Sequence, residues 1–114
     1  MHRDTISPLL TGGLVHQDGT AVYMLDGDLD AGAADALREQ ISRLIAESPG
    51  EVALDLSRVG FLDAAGLRAL EALSAIAQEG GGRLVLLAPH ARVRRVMEVL
   101  RVEDRFAIRE GDPR

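Results

Sequence analysis

The stretch Asp55-Leu56-Ser57-Arg58-Val59-Gly60-Phe61-Leu62-Asp63-Ala64-Ala65-Gly66-Leu67 decides how this chain is read. The apolar run at residues 52–56 predicts a buried strand. A turn then delivers Asp63-Ala64-Ala65-Gly66 to the start of an amphipathic helix. Such a junction exposes backbone N–H groups at the positive end of a helix dipole, where a phosphate is readily accepted. Both positions that could carry a phosphorylatable hydroxyl, 64 and 65, are alanine. The junction has the form of a switch without its acceptor.

Around this stretch, strand and helix patterns alternate. Leu14-Val15-His16 and Ala21-Val22-Tyr23-Met24-Leu25 flank Gln17-Asp18-Gly19, a strong hairpin signal because both turn residues tolerate positive φ. Leu37, Ile41, Leu44 and Ile45 follow helical spacing over residues 32–47, with Asp30 as N-cap and Ser48-Pro49-Gly50 as the stop. The second helix, residues 65–78, carries Leu67, Leu70, Leu73 and Ala77 on one face and ends at three glycines. Residues 84–88 read as a buried strand. Pro89 suits the first turn of a third helix with the stripe Val93, Val96, Met97 and Leu100, and residues 106–108 form a last strand.

This order predicts an α/β domain with a mixed sheet of four to five strands and three to four helices. Leu54, Leu56, Leu70, Leu84, Leu86, Val96 and Leu100 are expected in its core. Residues 1–11 are expected to be a loose end or an edge strand, residues 12–109 the domain, and residues 110–114 a polar tail.

Composition narrows the function. The 114 residues suit one domain, and 46% hydrophobic content argues for a packed core. Net charge is −5 and aromatic content 3%, which together argue against nucleic-acid binding. No cysteine is present, so thiol catalysis, disulfides and thiolate metal sites are excluded. No apolar stretch has signal-peptide or membrane-span length, and a cytoplasmic location without membrane insertion is expected.

Other candidate chemistries fall short. Asp26-x-Asp28-x-Asp30 resembles the opening of a calcium loop, but Ala31 and Leu37 stand where that loop needs glycine and a bidentate glutamate. Gly80-Gly81-Gly82-Arg83 follows a helix and lacks the lysine of a phosphate loop, so it reads as a helix stop. His2, His16 and His90 have no partners at metal or triad spacing, and Asp55 with Asp63 has no base or nucleophile beside it. Arg92, Arg94, Arg95, Arg101 and Arg105 make the third helix and its exit basic, either as a solvated face or as a rim for an acidic partner. No enzyme activity, metal or cofactor is expected.

Residues 55–67 resemble the signature of the STAS domain of anti-sigma factor antagonists, in which a strand ending Asp-Leu-Ser precedes Asp-Ser-Ser-Gly-Leu. Gly27-Asp28-Leu29-Asp30 is similar to that family's Gly-Glu-Leu-Asp turn, and the separation between the two motifs matches. The resemblance implies an α/β STAS fold over about residues 12–109. It also implies a partner-binding surface at Asp28, Ser57, Asp63, Ala64, Ala65, Gly66, Leu67 and Arg68. The implied partner is an anti-sigma factor that is also a kinase-like ATPase, bound through the 57–68 turn and the following helix. The family's phosphoacceptor falls at Ala65, which has no hydroxyl, so the binding surface is implied without its phosphorylation cycle. The other reading is an accessory subunit docking on the ABC ATPase of a lipid transport complex. A dimer is compatible with either.

Overall fold

The computed structural model describes residues 3–111. Its elements run β1 (Asp4–Ser7), β2 (Leu10–Gln17), β3 (Thr20–Leu29), α1 (Ala31–Glu47), β4 (Glu51–Leu62), α2 (Ala64–Glu79), β5 (Arg83–Leu87), α3 (Ala91–Leu100) and β6 (Ala107–Arg109). A single 3₁₀ turn, Glu103–Arg105, precedes β6. The sheet thus has six strands among the described residues, where four or five were expected, and three helices cover it. The added strand is β1, which pairs antiparallel with β2. It gives residues 4–7 of the N-terminal segment the edge-strand form; residues 1, 2 and 112–114 lie outside the described residues.

Strand order follows chain order from β1 to β6. The β2–β3 pair is the expected hairpin, with φ of 52° at Asp18 and 81° at Gly19, the two positive angles of a tight turn matched to strand twist. From β3 onward the pairing is parallel. Because side chains alternate along a strand, Tyr23, Leu25, Leu54, Leu56, Leu84 and Leu86 point to one face and Val22, Ala53 and Val85 to the other. The first face packs against residues of all three helices, among them Leu37, Leu70 and Met97, to form the main core. The second carries a small apolar cluster with no helix residue in it.

Three sequence expectations are corrected. Residues 57–62, read as a turn, extend β4 instead. Two register shifts against β3, one between Met24 and Asp26 and one between Gly27 and Asp28, let the strand continue past its polar residues. Pro89 lies before α3, whose N-cap is His90, the Nδ1 of which accepts from Arg92 N–H at 3.0 Å. Finally, Leu100 is 50% exposed and Val96 only half-buried. The chain reverses at Arg101, φ 56°, and the Val102 N–H donates to the Met97 carbonyl. This helix-ending motif returns Val102, not Leu100, to the core. No helix among the described residues is long and apolar enough to cross a membrane.

Candidate functional site

The carboxyl ends of parallel strands β3, β4 and β5 lead into the amino ends of α1, α2 and α3. In open α/β sheets this edge is where ligands meet the fold, because loops and helix N–H groups converge there. Asp63 organises its centre. One carboxylate oxygen accepts from Gly66 N–H at 2.9 Å and caps α2. The other accepts from Ala31 N–H at 3.1 Å, the first residue of α1. Asp30 caps α1 itself through Ala33 N–H at 3.1 Å. Two helix ends are therefore tied through one side chain. The backbone adds a further link, Asp63 N–H to the Leu29 carbonyl at 3.4 Å.

The residues singled out in the sequence divide into two groups. Ala64 and Arg68 are exposed and Ala65 and Asp63 half-buried, so these four present α2's first turns to solvent. Asp28 stands beside them at the end of β3, its N–H donating to the Leu9 carbonyl at 2.8 Å. Gly66 and Leu67 are buried and face the core. A Cβ at position 66 would lie 2.2 Å from the Leu29 carbonyl oxygen, so this glycine lets α2 press against β3. Its conformational role is packing; it offers no surface.

Ser57 is exposed but lies within β4, five residues and roughly 16 Å of extended chain before the strand ends at Leu62. Its N–H and hydroxyl both donate to one Asp55 carboxylate oxygen, at 2.9 and 2.7 Å. The structure does not bring Ser57 into the Asp63–Arg68 cluster along the chain, because the expected turn is strand.

Two apolar residues at this edge were not singled out. Phe61, the Cα partner of Asp28, is 49% exposed, and Leu9, whose carbonyl holds the Asp28 N–H, is 59% exposed. Phe61 carried a signal, being one of two phenylalanines and next to Leu62-Asp63. Leu9 carried none, since only β1–β2 pairing places it there.

This arrangement presents a capped helix start and exposed side chains that can bind. Within the described residues, no cluster of three or more His, Asp or Glu side chains could hold a metal ion. The edge consists of small residues, two capped helix ends and flanking apolar side chains.

A family model for the STAS domain matches residues 14–111. The chain belongs to the STAS domain family. Among curated relatives, the anti-sigma-F factor antagonist RsfB of Mycobacterium tuberculosis is 37% identical over 65 residues, covering 57% of this chain and 53% of that protein. The STAS chain thus spans about half the length of that relative. An anti-sigma factor antagonist from Mycobacterium paratuberculosis superposes with a TM-score of 0.76 at 28% identity, covering 88% of this chain and 85% of the other. The unphosphorylated anti-sigma factor antagonist SpoIIAA shares the fold, with a TM-score of 0.69 at 24% identity over 85% of this chain and 86% of its own.

Proposed function

We propose that this STAS domain is an anti-sigma factor antagonist that acts by binding alone. Its partner is an anti-sigma factor of the kinase-like ATPase type, met by the Asp28, Asp63, Ala64, Ala65 and Arg68 edge in the cytoplasm. The observation that carries this reading is the pair Ala64-Ala65 on α2's first turn. They follow Asp63, which caps α2 and also holds the first amide of α1, and the chain is similar to anti-sigma factor antagonists. An alanine is small and uncharged, so the edge stays permanently in the form that a phosphoserine would abolish.

Ala65→Glu tests it by placing a fixed charge on that turn. A carboxylate at a helix N-terminus costs the fold nothing and favours it by roughly 0.3–1 kcal/mol. The same charge buried against a partner without a counter-charge weakens binding by several kcal/mol on the order of a lost buried pair. The expected result, by calorimetric titration with the purified cognate anti-sigma factor, is a folded variant that no longer binds, while Ala65→Ser binds like the native protein. Undiminished binding by Ala65→Glu, or co-purification of an ABC ATPase in place of a kinase-like one, would overturn the proposal.

A further inference from the structure

The chain contains no lysine, so all 13 of its permanently cationic side chains are arginine. Eight of the described arginines reach a carboxylate within ion-pairing distance. Among the described residues Arg68, Arg92, Arg95 and Arg101 meet no carboxylate at that distance, although acidic residues outnumber arginines 18 to 13 in the chain. Arg92 and Arg95 are also misplaced for the fold. They occupy the first turn and a half of α3, where the helix dipole disfavours cations, and no acidic residue shares that turn. Arg94, between them, is offset by Glu110.

The exposed face of α3 continues this charge into apolar surface. Arg92, Arg95 and Val99 fall at i, i+3 and i+7 on one stripe, with Val99 63% exposed and Leu100 beside it 50% exposed. The amino ends of α2 and α3 stand at the same sheet edge, so Arg68 and Arg92 belong to one side of the molecule. A local arrangement that the fold does not favour and does not neutralise is the mark of a functional surface.

We infer that the Arg68, Arg92, Arg95 and Val99 surface is a second contact area for the same partner, which meets it with carboxylates beside an apolar patch. The inference rests on the proposed antagonist role and extends its docking edge from α2 onto α3. A carboxylate-bearing protein fits better than a polyanion, because the chain's net charge of −5 repels nucleic acid and anionic membranes at long range. Arginine also grips planar carboxylates with two parallel hydrogen bonds, which needs shape-matched partners at short range.

The experiment titrates the full chain with the purified cognate anti-sigma factor at low and high salt, and separately with phosphatidylglycerol vesicles. R92E/R95E is compared with R38E/R43E, which makes the same charge change on α1, and with Ala65→Glu. Acidic residues suit the start of α3, so R92E/R95E is expected to fold with an unlowered thermal midpoint. Its affinity for the anti-sigma factor should fall about tenfold or more, with a flatter salt dependence, while R38E/R43E changes little. Native-level binding by R92E/R95E, together with loss by Ala65→Glu, overturns the arginine surface and leaves the α2 edge standing. Vesicle binding that R92E/R95E abolishes, with anti-sigma factor affinity unchanged, reassigns the surface to lipid. No binding by the native protein removes both readings.

Discussion

Asp63 has two separate tasks, and only one of them can be read from its neighbours. Its capping of Gly66 follows from an Asp three residues ahead of the amide it serves, a local rule visible in any sequence. Its hold on Ala31 spans 32 residues and exists only because β3 and β4 lie side by side. Asp63→Ala is therefore expected to release amides on two helices at once, at a cost of about 1–2 kcal/mol. Hydrogen exchange would check this: protection should fall at both Gly66 and Ala31, and a loss confined to Gly66 would show the second bond to be idle. Gly66 and Leu67 illustrate the opposite limit of legibility. A motif marks them as a unit with Ala64 and Ala65, yet burial separates motif residues that fold from those that face outward.

At the scale of elements, sequence periodicity located α1 and α2 to within a residue at each end, because apolar spacing of 3.6 is imposed by the core itself. β4 was cut short at Leu56 because Ser57, Arg58 and Gly60 break the alternation that marks a strand. Bulges absorb such breaks, and nothing in a single strand announces the partner that makes the bulge tolerable. β5 was legible since it is buried on both faces, and Leu86 within it is fully enclosed. Leu86→Ala is expected to cost about 2–5 kcal/mol through lost transfer energy and a residual cavity, read as a lowered thermal midpoint. The outer strand β6 is held differently. Arg109 donates to both Glu51 carboxylate oxygens, at 3.0 and 3.1 Å, and Arg83 donates to one of them at 3.3 Å. The Arg109 hydrogen bonds, more than burial opposes, hold the Glu51 carboxyl below its ordinary range. A carboxyl depressed in the folded state stabilises above its unfolded pKa, and that contribution disappears as pH falls through the folded value. Thermal midpoints of Glu51→Gln measured from neutral to acid pH should accordingly fall less steeply than those of the native protein.

At the scale of the whole molecule, Tyr23 ties the edge strand β1 to β3 across the strand between them. Its ring is buried on β3, and its hydroxyl donates to Asp4 of β1 at 2.9 Å, reaching over β2. Burial first, then the Asp4 hydrogen bond and charge, push the phenol far above its ordinary value of 10.0. For an acid raised in the folded state the stabilisation is complete below the unfolded pKa and is lost as pH climbs past it. The native protein should lose stability steeply in alkali, whereas Tyr23→Phe, weaker by about 1–3 kcal/mol at neutral pH, should show a flatter alkaline limb in chemical denaturation. The match of strand order to chain order has a consequence for how the molecule comes into being. Each new strand joins the free edge left by the one before it, and no early strand must part to admit a later one. A nascent chain leaving the ribosome amino end first can thus lay down the hairpin, then β4, then β5, with each addition closing over its own crossover helix. Synthesis and assembly share one direction, and the arginine-bearing α3, made late, is placed only after the sheet that carries it exists.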